Sequence, residues 1–100
     1  MIRSVLKAGM LAPSPNPFVR ATEITYMVPS TTQAAAVTLR IHDASGRLVR
    51  TLVDCWKRPG VYTAAWDGTS ESGSPVSSGA YFYSLEIGET RITRKGVLLR

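Results

Sequence analysis

The feature that most constrains this chain is the run Tyr81-x-Tyr83-x-Leu85-x-Ile87, in which every second residue is large and apolar. Strand side chains alternate between two faces, so this period puts all four on one side of a sheet. A helix would scatter them around its circumference. Shorter runs repeat the period in Ile24-x-Tyr26-x-Val28, Val37-x-Leu39-x-Ile41 and Tyr62-x-Ala64-x-Trp66. Turn chemistry separates them. In Asp43-Ala44-Ser45-Gly46 an Asp can bond its own downstream backbone and a glycine tolerates a left-handed φ. Pro59-Gly60 and Gly88-Glu89 punctuate the chain in the same way. The second of these predicts a tight hairpin into a last strand over 90–99, where Val97 and Leu99 share a face with Thr93 and Lys95. Residues 47–53 predict a strand whose doublets, Leu48-Val49 and Leu52-Val53, break the alternation as a bulge or an edge position would. A short helix is the alternative there. Some six to seven strands at roughly ten-residue spacing predict an all-β chain, an immunoglobulin- or fibronectin-III-like antiparallel β-sandwich.

A chain of 100 residues has room for one core. Pro13-Ser14-Pro15-Asn16-Pro17 forbids helix and predicts a stiff, extended segment. We therefore read residues 1–12 as linker or lead-in and 13–100 as the domain. Residues 2–11 carry the one faint helical period. They also look slightly like a signal peptide, but Lys7 interrupts the apolar run and no cleavage region follows. Export would then rest on a signal elsewhere in a longer precursor. No run approaches the ~20 apolar residues of a membrane-spanning helix. The Ser- and Gly-rich stretch 67–79 is long for a connection.

The net charge of +5 would suit nucleic acid, but its distribution does not. Lys and Arg are scattered singly except at Lys57-Arg58 and Arg91-x-x-Arg94-Lys95, and no aromatic residues interleave them as stacking platforms. The aromatic residues of the strands (Tyr62, Trp66, Tyr81, Phe82, Tyr83) are expected mostly in the core. Alternation sets Phe82 opposite Tyr81 and Tyr83, so these three form no common sugar-binding platform. Cys55 is the sole cysteine, which rules out an internal disulfide and leaves an intermolecular one if the thiol is exposed. His42 falls on the polar side of its strand, and no serine sits in a Gly-x-Ser-x-Gly elbow. Asp67-x-Thr69-x-Glu71 has the alternating oxygens of a calcium loop, but residues 72–79 supply only hydroxyls and carbonyls, so a turn is the better reading. Gly68, Gly73 and Gly79 are not spaced to cradle phosphate. No enzyme, metal or cofactor is expected.

The ordered set of motifs has a family likeness. Pro15-Asn16-Pro17-Phe18 precedes Ile24-Thr25-Tyr26-Met27-Val28-Pro29. Then come Asp43-x-x-Gly46-Arg47-x-Val49, Gly60-x-Tyr62, Trp66-Asp67-Gly68 and Gly73-x-Pro75-Val76-Ser77-Ser78-Gly79-Ala80-Tyr81-Phe82-Tyr83. Over about residues 13–100 the chain resembles the immunoglobulin-like domain of the flagellar hook-capping protein FlgD and the related C-terminal sorting domains of type IX secretion cargo. That resemblance implies a non-catalytic module, secreted or on the cell surface, for sorting and attaching a larger exported bacterial protein. Its partners would be secretion or attachment machinery, or other domains of the parent protein, and the Pro-Asn-Pro run would be a rigid hinge from an upstream domain. Arg91, Arg94 and Lys95 on the final hairpin are the candidate recognition residues. A hook-cap-type assembly domain is the alternative, and a carbohydrate-binding module a third.

Overall fold

A computed structural model describes residues 7–30 and 34–100. It contains β1 (Gly9–Met10), β2 (Thr22–Val28), β3 (Ala35–Asp43), β4 (Leu48–Lys57), β5 (Gly60–Trp66), β6 (Gly79–Ile87) and β7 (Thr90–Leu98). Two sheets face each other, three strands in the order β1-β2-β5 and four in the order β4-β3-β6-β7, with every pairing antiparallel. The chain is thus the expected sandwich. The alternating runs deliver its core: Ile24, Tyr26 and Val28 from β2, Val37, Leu39 and Ile41 from β3, and Tyr81, Tyr83, Leu85 and Ile87 from β6 are all buried. Trp66 is 0% exposed at the centre, with its ring against Phe18, Tyr81 and Tyr83.

The irregular stretch after Gly46 is both an edge and bulged. β4 lies at the rim of its sheet and shifts register against β3 between Leu39/Arg40 and between Ile41/His42. Each shift leaves one residue unpaired, Leu52 and then Val49, and both pack against the core. The doublets are what two bulges look like in sequence, and the helix alternative falls. The strand also runs on to Lys57, beyond the expected end. An edge strand exposes unpaired backbone groups that invite aggregation. Here the long loop covers part of that edge: the Glu71 amide donates to the Val49 carbonyl at 3.0 Å, and the Thr51 amide to the Glu71 carboxylate at 2.9 Å.

Two expectations change. The first concerns the lead-in. Gly9 and Met10 pair with Met27 and Tyr26, and Met10 is buried, so the core reaches back into the stretch read as linker. Residues 1–6 of that stretch lie outside the described residues. The second concerns the proline run, which packs into the domain as a strap rather than standing ahead of it as a hinge. Ser14 bridges to Glu23 on the three-stranded sheet; a few residues later Phe18 bridges in parallel to Leu98 on the other. The Asn16 side chain supplies what prolines cannot, accepting from the Val97 amide at 2.9 Å and donating to the Lys95 carbonyl at 3.4 Å. The peptide bonds Ser14-Pro15 and Asn16-Pro17 are cis. Burying Phe18 against Trp66, with ring centroids 5.5 Å apart, ties the strap to the core.

One core group is unsatisfied. Tyr83 Oη is buried with no hydrogen-bond partner among the described residues, and burial pushes its phenol well above the usual tyrosine range. An unpaired buried hydroxyl costs about 1–3 kcal/mol of desolvation that nothing returns. Tyr83→Phe is therefore expected to leave the thermal midpoint unchanged or raise it. A loss above about 1 kcal/mol in urea unfolding would mean that the hydroxyl has a partner.

Candidate recognition surface

The final hairpin carries the three cations singled out in the sequence, and its register decides what each can reach. Directly opposed residues in an antiparallel pair point to the same side. Tyr81, Tyr83 and Leu85 face the core, so their partners Gly96, Arg94 and Ile92 do too. The odd positions of β7, including Arg91, Thr93, Lys95 and Val97, point to the outer face, and Leu99 beyond them is exposed. Arg91 and Lys95 therefore share a surface and Arg94 does not.

Arg94 instead closes the sandwich at its rim. Its Nε donates to the Met10 carbonyl at 2.8 Å, linking β7 of one sheet to β1 of the other. We assign it a structural role. Arg94→Ala is expected to cost about 1 kcal/mol in chemical denaturation and to speed amide exchange at Leu11, while leaving outer-face binding intact.

On the outer face Arg91 donates from Nε to the Ser84 hydroxyl at 3.1 Å, and Ser84 is itself buried. Lys95 stands opposite Phe82 across the β6–β7 pair, and His42 stands opposite Phe82 across the β3–β6 pair. Glu86, the cross-strand neighbour of Arg91, pairs instead with Arg40 at 3.4 Å. Between these side chains and the Asp43–Gly46 turn lies a hollow of about 330 Å³, walled by His42, Phe82, Ser84, Arg91 and Thr93. In the turn, Asp43 Oδ1 accepts from the Ser45 hydroxyl and from the Ser45 and Arg47 amides. The Ser45 hydroxyl, above all, and those amides hold its carboxyl below the ordinary range. The sequence alone does not bring Phe82, Ser84 and His42 together, because their meeting depends on a register that one strand at a time does not reveal.

The other candidate groups are spoken for. The Asp67 carboxylate accepts from the Thr69 hydroxyl and from Arg50, which together hold its pKa down, the hydroxyl foremost. Glu71 points away to the β4 edge. Gly68 has φ +76°, which lets its carbonyl accept from both the Val76 amide and Arg100 Nη2. The Trp66 indole donates to the Thr69 carbonyl at 2.8 Å. The Trp-Asp-Gly run is thus the frame of the long loop. Cys55 is exposed on β4 beside Trp56, which is 72% exposed.

Known proteins share this architecture. A family model described as the FlgD Ig-like domain matches residues 16–90. The basal-body rod modification proteins FlgD of Salmonella typhimurium and Salmonella typhi are each 46% identical over 48 residues, which is 48% of this chain and 21% of theirs. The chain thus corresponds to about a fifth of the length of these relatives. Among solved structures, dimeric latent PorU of Porphyromonas gingivalis matches 95% of the chain with a TM-score of 0.68 and 19% identity, over 9% of its own length. PorZ of the same organism, a surface component of the type-IX secretion system, matches 93% with a TM-score of 0.56 and 18% identity, over 11% of its length. The two likenesses concern the fold. The family match spans three quarters of the chain, over strands β2 to β6 and the loop that Trp66-Asp67-Gly68 frames, and on that ground this chain belongs to the FlgD Ig-like domain family.

Proposed function

We propose that the chain is a non-catalytic module that sorts a larger exported bacterial protein for secretion and attaches it at the cell surface. The observation that carries this reading is the extent of its likeness to PorZ: nearly the whole sandwich corresponds to a small part of a protein described as an essential surface component of the type-IX secretion system. A sandwich that makes up about a tenth of such a protein suits a role in placement rather than chemistry. On this reading Arg91 and Lys95, which share the outer face, meet the export or attachment machinery, while Arg94 holds the fold.

The test is a fusion of this chain to a reporter in a type IX-competent host. The reporter is expected to become accessible to external protease. Retention in the periplasm would end the sorting role. Within the fusion, Arg91→Glu combined with Lys95→Glu is expected to reduce surface delivery while the isolated domain melts as before.

A second reading, a hook-cap-type assembly domain, is favoured by the 46% identity to the Salmonella FlgD proteins over 48 residues. It requires self-association in sedimentation or capture of hook protein in a pull-down. A monomer that captures none is inconsistent with it.

A further inference from the structure

The hollow on the outer face has the makings of a small-ligand site, and we propose that it binds a single carboxylated sugar ring, a hexuronate unit of an acidic polysaccharide. Its volume of about 330 Å³ lies at the low end of the range for small-molecule sites, which spans roughly 300–1,000 Å³. The Asp43–Gly46 turn closes one end, so the hollow suits one ring rather than a long stretch of chain.

Three features select the ligand chemistry. Arg91 is oriented before anything binds, because its Nε is held by the hydroxyl of the buried Ser84. Among the described residues it makes no ion pair, since its neighbour Glu86 is engaged with Arg40. A guanidinium so fixed offers its terminal nitrogens as a fork that matches a carboxylate. Phe82 forms an apolar wall, and the face of a phenyl ring is negative. It repels a carboxylate but accepts the C–H face of a pyranose. Asp43 stands opposite Tyr81 and Arg91 opposite Glu86, so the Asp43 carboxylate lies at the other end of the hollow and repels the acid group toward Arg91. The Thr93 hydroxyl and the His42 ring remain for the sugar hydroxyls. Carboxylate at Arg91 and ring on Phe82 is the one orientation that satisfies all of these.

The experiment uses the whole 100-residue chain, labelled with ¹⁵N and titrated at constant ionic strength with sodium glucuronate, glucose or sodium acetate. Glucuronate is expected to give saturable shifts at Phe82, Ser84 and Thr93 in the millimolar range. Glucose and acetate are expected to bind at least about tenfold more weakly, because each lacks one of the two halves. Arg91→Gln should reduce glucuronate to the level of glucose, and Phe82→Leu, which stays apolar and keeps the fold, should reduce it to that of acetate. Arg58→Gln, remote from the hollow, should change nothing. Equal binding of acetate and glucuronate, equal binding of glucose and glucuronate, shifts centred elsewhere, or no saturable shift would each overturn the proposal. Arg91 is shared with the export reading, but neither the reporter assay nor the hook-protein pull-down contains a sugar, so a failed glucuronate titration leaves those readings untouched.

Discussion

Trp66→Ala lowers the stability of this domain by about 3–5 kcal/mol, the usual cost of emptying a large aromatic site in a packed core. The indole has no solvent contact and meets Phe18, Tyr81 and Tyr83 at centroid distances of 5.5, 5.1 and 5.9 Å. These neighbours come from the strap and from the opposite sheet, so no single element can move in to fill the void. A domain of this size has only about 5–15 kcal/mol to lose, and its midpoint should fall on the order of 20 °C. Trp66→Phe should recover more than half of the loss, the remainder reflecting the missing indole donor and a smaller ring. Urea unfolding followed by far-UV circular dichroism measures both. A loss under about 1 kcal/mol for the alanine variant would mean that Trp66 is not the keystone described. Val61→Ala, at an outward and exposed position, is the reference and should stay within about 0.5 kcal/mol of the parent.

Gly96→Ala has the second largest effect, and it acts by crowding. A β-carbon at this position would lie 2.9 Å from Tyr83 Oη, 3.2 Å from Tyr83 Cζ and 3.3 Å from Pro13 Cγ. The ring is packed against Trp66, and Pro13 belongs to the strap, so both are held in place. Overpacking of this kind costs about 1–3 kcal/mol. Because the closest contact is to the unpartnered hydroxyl, Gly96→Ala with Tyr83→Phe should lose less than the sum of the two single changes. Strict additivity in that double-mutant cycle would show that the clash is with Pro13 instead.

Much of this fold could be read before any coordinates. Period-two runs name the inward residues of β2, β3 and β6 because each strand there has one buried and one solvated face, which is the condition under which alternation is informative. The doublets of β4 announced an irregularity for the same reason. Less legible was β7, where Arg94 and Gly96 occupy core-facing positions. A glycine is there to make room for a tyrosine, and an arginine is there because the rim lets its head reach a carbonyl. Polarity alone misplaces both. The proline run was readable as extended but not as part of the domain, since its attachment depends on the Asn16 amide reaching Lys95 and Val97 near the far end of the chain and on the Phe18 ring meeting Trp66. The recognition residues suffered the same difficulty. Arg91, Arg94 and Lys95 are neighbours in sequence, yet only register separates the two that share the outer face from the one that does not.

The strap has a consequence for how this domain carries load. Phe18 exchanges bonds with the last strand in parallel alignment, its amide donating to Val97 at 2.9 Å and its carbonyl accepting from Leu99 at 2.8 Å. Tension applied between the strap and the end of β7 pulls these two segments along their length in opposite directions. Such a pull must stretch the hydrogen bonds and drag Phe18 off Trp66 together, whereas an antiparallel pair loaded from one end would peel apart a bond at a time. A junction built this way yields late and all at once.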